Sequence, residues 1–303
     1  MKVAVIGIGS NSVRMLVCEV VGQEMHRLRR ERAGTRLFAG LDARGNLSAE
    51  AMASSCAAVK QMADSARAEG CESLHLFATS ATRDAANQAD FSAMLRAETG
   101  LELEICSGAE EAALSFFGAT DGGDSGVIDI GGGSTEVIVG HGMDVRCGFS
   151  CQMGAVRLAG RIPIRDHGDL SAVQTVAADI LEHALRDHST LSLPKTWRGT
   201  GGTFTTLAAM MKGIHWTERT YMHGTVLTKD YIQRIARDLA DMPLEERRLL
   251  PGLQPNRADI IVHGICILIA CMERLGIEEI TVSEYGNLDG YVKRKYLNDG
   301  GKE

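Results

Sequence analysis

The stretch Ile6-Gly7-Ile8-Gly9-Ser10-Asn11-Ser12 returns later in the chain as Ile128-Asp129-Ile130-Gly131-Gly132-Gly133-Ser134. The offset is constant, because positions 7 and 129, 9 and 131, and 12 and 134 are each 122 residues apart. Both stretches are glycine turns that join an apolar strand to a strand rich in β-branched residues. This repeat predicts two duplicated domains, each built on a hairpin of this kind, that face each other across a central cleft.

The rest of the chain alternates strands with helices, which predicts an α/β fold. A length of 303 residues is also a soft prior for about two domains. We place the first domain at residues 1–120 and the second at 121–303, with the closing helix, about residues 288–303, able to pack back on the first. No proline-rich or Gly/Ser linker separates the halves, so we expect a close hinge.

Glycine turns of this type let backbone N–H groups approach an anion, and serine hydroxyls add donors. The alternative is that the glycines only permit tight hairpins. Two matched copies, each with serine at the same place, favour phosphate binding. A third turn, Gly199-Thr200-Gly201-Gly202-Thr203, leads into a helix and offers a further anion site. The chain has no GxxxxGK[ST] motif, and a strand follows each of the first two turns, which argues against Walker and Rossmann loops.

Composition excludes several classes of protein. Apolar residues make up 45% and charged residues 23% of the chain, as in globular proteins, and no apolar run approaches the ~18 residues of a membrane span. A net charge of −7 argues against binding to nucleic acid. The eight cysteines form no CxxC pair and the histidines form no zinc motif, so we expect a reduced, cytoplasmic protein without zinc. His263 lies in an apolar stretch and is interpreted as a core histidine.

One cluster of basic residues departs from the net negative charge of the chain. Five arginines crowd into ten residues: Arg27, Arg29, Arg30, Arg32 and Arg36. We favour a solvated strand face with arginines pointing outward. A docking edge for a polyanion is the alternative.

The motifs around the turns resemble those of the exopolyphosphatase / guanosine pentaphosphate phosphohydrolase (Ppx/GppA) family, within the actin-like, sugar kinase and Hsp70 ATPase fold group. The matching stretches are GIGSNSVRM, ATSATRDAAN, ICSGAEEA, VIDIGGGSTEVI, CQMGAVRL, GTGGT, RADII and TVSEYG. They cover nearly the whole chain, which looks like the short form with two actin-like domains.

The resemblance implies Mg²⁺-dependent hydrolysis of a terminal phosphoanhydride, in polyphosphate or in pppGpp. By motif, Glu111 matches the glutamate that orients and deprotonates the attacking water, and Arg83 matches an arginine that faces the phosphates. Asp129 and Glu136 match the acidic pair around the metal and water. The implied phosphate-binding residues are Gly9, Ser10, Asn11, Ser12, Gly131, Gly132, Gly133 and Ser134, and the third turn adds Gly201 and Gly202. Such residues fit a reaction that needs positioning and charge cancellation.

Each of these side chains also has a structural interpretation. Glu110 and Glu111 could be favourable charges in the first turn of a helix. Glu136 could point from its strand into solvent. Arg83 could be held by an acid on its own helix, but Asp84 is adjacent and should face away.

Two positions depart from the family pattern. Gly7 stands where the family carries an aspartate, and the repeat shows the same gap because Asp129 has no counterpart 122 residues earlier. If the turns face each other around the phosphates, Gly7→Asp should restore a metal ligand. Near the C-terminus the family has a leucine-arginine-glutamate-glycine run after Gly286, and here Asn287-Leu288-Asp289-Gly290 follows. That change affects either substrate contacts or helix packing.

Three functions compete. The leading one is an exopolyphosphatase that also hydrolyses pppGpp to ppGpp. The second is a non-catalytic sensor of ppGpp or polyphosphate, which Gly7 favours. The third is an actin-like kinase, against which Glu111 argues. We expect no nucleic-acid or membrane partner, and a homodimer from the base rates of soluble enzymes.

Overall fold

A computed structural model describes residues 1–42, 44–186, 188 and 192–297. The chain divides into two compact units. The first comprises Met1–Gly118 together with the chain from Asn287 onward, and the second comprises Ala119–Gly286. Each unit is a sheet covered by helices, so the α/β prediction is confirmed. Among the described helices, none combines the length and apolar character needed to cross a membrane.

The elements follow one another in a regular alternation. In the first part of the chain they are β1 (Lys2–Ile8), β2 (Val13–Val21), β3 (Glu24–Ala33), α1 (Ala49–Ala68), β4 (Ser73–Ala78), α2 (Ser80–Arg83), α3 (Gln88–Thr99), β5 (Leu103–Ile105) and α4 (Gly108–Ala119). After that come β6 (Asp124–Ile130), β7 (Thr135–His141), β8 (Asp144–Cys151), α5 (Ala155–Ala159), α6 (Leu170–Arg186), β9 (Trp197–Gly201), α7 (Gly202–Lys212), β10 (Val226–Thr228), α8 (Lys229–Asp241), α9 (Leu244–Arg247), α10 (Ile261–Leu275), β11 (Glu279–Val282) and α11 (Asn287–Tyr296). Short 3₁₀ turns lie at Leu37–Gly40, His167–Asp169, Arg219–Tyr221 and Pro255–Arg257.

The two sheets have the same topology. The strand order is β3-β2-β1-β4-β5 in the first and β8-β7-β6-β9-β11 in the second, where β10 adds one further strand at the edge. In both sheets the first three strands in sequence pair antiparallel. A fourth strand, β4 or β9, pairs parallel to the first, and a fifth, β5 or β11, pairs parallel to the fourth. This shared order confirms the duplication that the glycine turns predict.

Alternation along the central strand of the first unit builds a core on both sides of its sheet. Ala4, Ile6 and Ile8 pack in a cluster with residues of α1 and α3, whereas Val3 and Val5 pack with residues of α4 and α11. In the second unit, α10 is apolar all round and almost wholly buried. His263 on this helix is 5% exposed and its Nε2 lies 2.8 Å from the carbonyl of Ile162, so the core interpretation is confirmed.

The arginine cluster does not form a solvated face, so that prediction is wrong. Arg27 and Arg30 lie 2.6 and 2.8 Å from the carboxylate of Asp289, whose side chain is only 3% exposed. Arg29 pairs with Glu69 at 2.9 Å. Carboxylates that are distant in sequence therefore bind these arginines, and two of the pairs fasten α11 to the sheet of the first unit.

The segment that contains Arg83 forms two separate helices. α2 ends at Arg83 and α3 begins at Gln88. Between them, Asn87 binds the backbone of Leu47 twice, through Oδ1 at 2.8 Å and Nδ2 at 3.0 Å. This tertiary contact fixes the break and leaves Arg83 at the end of a single helical turn.

Candidate active site

The first glycine turn, between β1 and β2, is closed by a hydrogen bond from Gly9 N–H to the Ser12 carbonyl at 3.0 Å. The second turn, between β6 and β7, is closed by the equivalent bond from Gly131 N–H to the Ser134 carbonyl, also at 3.0 Å. Both donors and both acceptors are related by the offset of 122 residues. The repeat therefore extends from the sequence to individual hydrogen bonds.

In each turn the carbonyl groups are bound from one side. Phe38 N–H and Arg36 N–H donate to the carbonyls of Ser10 and Asn11 in the first turn. In the second turn, Ala155 N–H donates to Gly131 O, Val156 and Arg157 N–H donate to Gly132 O, and Arg157 Nε–H donates to Gly133 O at 2.6 Å.

Because a trans peptide plane places its N–H opposite its carbonyl, these bonds fix where the next amides point. The amides of Asn11 and Ser12 point away from the Arg36–Phe38 segment, and those of Gly132, Gly133 and Ser134 point away from α5. Within the described part of the chain, the last three amides donate to no acceptor. Successive unpaired N–H groups of this kind form an anion nest.

In the first unit, two contacts link predicted site residues to the short helix α2. Ser10 Oγ lies 2.8 Å from Ser80 Oγ, which ties the first turn to α2. Arg83, at the end of α2, donates from Nη1 to Glu111 Oε2 at 3.0 Å and to the Cys106 carbonyl at 3.0 Å. The turn, the arginine and the glutamate are thus linked through one short helix.

The prediction that Asp84 faces away from Arg83 is wrong. Asp84 Oδ1 lies 3.8 Å from Arg83 Nε. Arg83 Nη2 is buried and, among the residues that the structure describes, has no hydrogen-bond partner. A buried guanidinium nitrogen without an acceptor is costly and fits an anionic ligand oxygen.

Two adjacent glutamates at the start of α4 have separate roles. Glu110 Oε2 accepts hydrogen bonds from Ser107 N–H and Oγ–H, both at 2.8 Å, and Ser107 Oγ accepts from Glu110 N–H in return. This is a capping box, and its hydrogen bonds lower the pKa of Glu110. The first-turn interpretation therefore describes Glu110. Glu111 is instead buried against Arg83, with 8% of its side chain exposed.

The neighbouring thiol is not a competing nucleophile. Burial raises the pKa of Cys106 to about 12, with Glu111 and Glu110 acting in the same direction. A thiol at that pKa stays protonated at neutral pH.

In the second unit, Asp129 and Glu136 are direct cross-strand partners on β6 and β7. Directly opposed residues project on the same face of a sheet, with Cβ atoms ~5 Å apart. Glu136 is 1% exposed and accepts a hydrogen bond from Ser150 Oγ at 2.7 Å, so the solvent-facing interpretation is wrong. No sequence pattern points to Ser150. It is recognised only from the register of the sheet, in which Ser150 on β8 lies opposite Glu136 on β7.

The third turn approaches the same acidic pair. Gly201 has φ 98° and ψ −179°, and a Cβ there would lie 2.7 Å from the Ile130 carbonyl and 2.9 Å from Asp129 Oδ1. Only glycine fits this backbone and this approach. The guanidinium of Arg257 fills the space beside Gly202 where a Cβ would be. Arg257 belongs to the RADII motif, but no sequence argument assigned it to the site.

Each unit carries some of the predicted site residues. Glu111, Arg83 and the turn of Gly9–Ser12 belong to the first unit. Asp129, Glu136, the turn of Gly131–Ser134 and the Gly201–Gly202 turn belong to the second.

No three His, Cys, Asp or Glu side chains come together as a ready metal site in the described residues. Two opposed carboxylates, one of them deeply buried, still suit Mg²⁺, which takes one or two carboxylates and completes its shell with phosphate oxygens and water. A divalent ion would also offset the repulsion between them.

Gly7 does not extend this metal site. A Cβ on Gly7 would lie 3.0 Å from Leu288 Cδ2 and 3.0 Å from Phe77 Cζ. A side chain at position 7 would therefore begin against two apolar side chains beneath α11, and both would have to shift to admit it. Asn287 accepts a hydrogen bond from Arg14 at 3.1 Å, and Asp289 holds Arg27 and Arg30. The altered C-terminal run thus serves helix packing.

Comparison with known proteins identifies the family to which the chain is similar. The profile of the Ppx/GppA phosphatase family matches residues 16–298, nearly the whole chain. The crystal structure of an exopolyphosphatase from Cytophaga hutchinsonii covers 96% of this chain and 97% of its own, with a TM-score of 0.86 at 25% identity. The Aquifex aeolicus PPX-GPPA enzyme covers 97% and 99%, with a TM-score of 0.82 at 26% identity.

A curated relative is closer in sequence. Exopolyphosphatase 2 of Mycobacterium tuberculosis is 35% identical over 310 residues, which span 95% of this chain and 97% of that protein. The chain therefore belongs to the Ppx/GppA phosphatase family.

Proposed function

We propose that this protein is a Mg²⁺-dependent exopolyphosphatase that releases orthophosphate from the end of inorganic polyphosphate. Guanosine pentaphosphate, hydrolysed to the tetraphosphate, is the second substrate we assign to it. The observation that carries the proposal is the pair Arg83–Glu111, in which a buried carboxylate lies beside a partly buried guanidinium. The Nη2 atom of that guanidinium is buried and has no hydrogen-bond partner among the described residues. The exopolyphosphatase names of the relatives support the choice of substrate.

The reaction joins a water oxygen to the terminal phosphorus and breaks the anhydride bond between that phosphorus and the bridging oxygen. Glu111 accepts the proton of the attacking water. Arg83 holds Glu111 Oε2, which fixes the plane of the carboxylate, and Nη2 is available to a phosphoryl oxygen. The bridging oxygen leaves with the shortened chain, and the released product is orthophosphate.

The amides of the two glycine turns bind phosphoryl oxygens, since three consecutive N–H groups of the second turn are oriented for an anion. Asp129 and Glu136 would hold Mg²⁺, which when bound neutralises charge on the phosphoryl oxygens. Ser150 fixes the orientation of Glu136.

Orthophosphate release from long-chain polyphosphate, measured with Mg²⁺ and with EDTA, tests the proposal. Release that needs Mg²⁺ supports it. Binding of polyphosphate without release would make the protein a sensor, and phosphate transfer to an added acceptor rather than to water would make it a kinase. Both outcomes would overturn the hydrolase.

A further inference from the structure

The side chain of Arg157 hydrogen-bonds to a carbonyl of the second glycine turn. We propose that Arg157 is a positioning residue for phosphate binding: its Nε–H binds the Gly133 carbonyl and thereby sets the direction of the Ser134 amide. The bond is 2.6 Å long. This inference rests on the proposed function of the turn as a phosphate site.

The repeat shows what this side chain replaces. The carbonyl equivalent to that of Gly133, 122 residues earlier, belongs to Asn11. It accepts a hydrogen bond from the backbone N–H of Arg36 at 3.2 Å. Arg36 itself adopts φ 50°, the only positive φ at a non-glycine residue in the described chain. In the first unit the donor of this bond is thus the backbone N–H of a residue in a left-handed conformation, whereas in the second unit the donor is a side chain.

The neighbouring contacts hold the rest of the turn without the Arg157 side chain. The backbone N–H groups of Val156 and Arg157 hold the Gly132 carbonyl independently of the side chain, at 2.9 and 3.0 Å. Gly154 packs so closely on Gly132 that no Cβ would fit between them. Loss of the guanidinium should therefore leave α5 docked on the turn and release the peptide plane between Gly133 and Ser134.

The decisive comparison is between Arg157→Met, which keeps an unbranched stem without a donor, and Arg157→Lys, which keeps a donor. We expect Arg157→Met to lower kcat/KM for polyphosphate by about 10- to 100-fold, as a small misplacement of binding groups does. Arg157→Lys should recover most of the loss. Arg161→Met removes an exposed arginine four residues along and should change kcat/KM by no more than about twofold.

A purely structural role would lower the melting temperature of both Arg157 variants without the lysine rescue. The proposal is overturned if Arg157→Met stays within about twofold of the wild type, or if lysine is no better than methionine. If Arg157→Met does not fold, hydrogen exchange in the wild type tests the hydrogen bond instead. The Arg157 Nε–H should exchange with water about tenfold more slowly than the Nε–H of Arg161. Equal exchange would refute the bond.

A second readout separates this proposal from the enzyme assignment. Tripolyphosphate with Mg²⁺ should shift the amide NMR signals of Gly133 and Ser134 in the wild type, and much less in Arg157→Met. If the wild type shows these shifts but releases no phosphate, the hydrolase fails and the positioning role stands. If it releases phosphate and Arg157→Met shows the same shifts as the wild type, the positioning role fails alone.

Discussion

Leu288 Cδ2 lies 3.0 Å from the point where a Cβ on Gly7 would stand. The two departures from the family pattern, at the first turn and in the C-terminal run, therefore meet at one place in the first unit. Leu288 belongs to the apolar cluster that includes Phe77, Leu114 and Tyr291. A small residue at position 7 and an apolar one at position 288 are mutually compatible, and neither supplies a charge to a metal.

This contact reverses what the repeat suggests for Gly7→Asp. We expect the substitution to destabilise the protein by about 1–3 kcal/mol, because it overpacks a filled layer and buries a carboxylate there. The Mg²⁺ requirement should not fall. Chemical denaturation and a Mg²⁺ titration of phosphate release measure the two effects. In a Leu288→Ala background the same change should cost less, and equal costs in both backgrounds would contradict the contact.

Two aspartates on β6, Asp129 and Asp124, provide a test variant and a control variant for the proposed metal site. Asp129→Asn should raise the Mg²⁺ concentration for half-maximal activity about tenfold, since it removes one of two carboxylates from the proposed site. Asp124→Asn, at the exposed start of β6 where Asp124 pairs with Arg146, serves as the control. Similar Mg²⁺ curves for the two variants would remove Asp129 from the metal site.

The third turn can be probed at the two ends of α7. Gly201→Ala should cost about 1–3 kcal/mol of stability and most of the activity, because φ 98° disfavours alanine and the added Cβ meets the Ile130 carbonyl and Asp129. Gly213→Ala, at φ 62° with open space around it, should cost about 1 kcal/mol and spare catalysis. Thermal unfolding and phosphate release on both variants make the comparison. An active Gly201→Ala enzyme would separate this turn from the site.

Two histidines, the half-buried His75 and the buried His263, should make the stability of the protein depend on pH just below neutrality. Burial, and then Lys295, lower the pKa of His75 from 6.5, and burial lowers that of His263. The unfolded chain then binds protons that the folded chain does not, so stability falls as pH drops below 6.5. Melting temperatures should be lower at about pH 5.5 than at about pH 7.5, and the difference should shrink in His75→Gln. An unchanged difference would exclude His75 as a source.

The sequence predicted the features that local pattern encodes. The glycine turns, their duplication and the α/β alternation each follow from short stretches and a fixed offset. The pairing of Arg83 with Glu111 could not be predicted, because the two lie 28 residues apart and meet only when α2 and α4 are placed.

The burial of Glu136 was hidden for a related reason. A single strand shows which residues share a face but not which face is covered, and Ser150 reaches Glu136 only through the register of β7 with β8. Likewise, the arginines of β3 looked solvated until α11 brought Asp289 to them. In each case a partner distant in sequence decided what the side chain does.

The role of Glu111 is tested most directly by two adjacent glutamates with opposite expectations. Glu111→Gln keeps the shape of the base and removes its basicity, so phosphate release from polyphosphate should fall about 10²–10⁴-fold while polyphosphate binding survives. Glu110→Gln disturbs only the capping box of α4 and should cost some stability with nearly normal turnover. Near wild-type turnover in Glu111→Gln, measured beside a folded Glu110→Gln enzyme, would contradict the account.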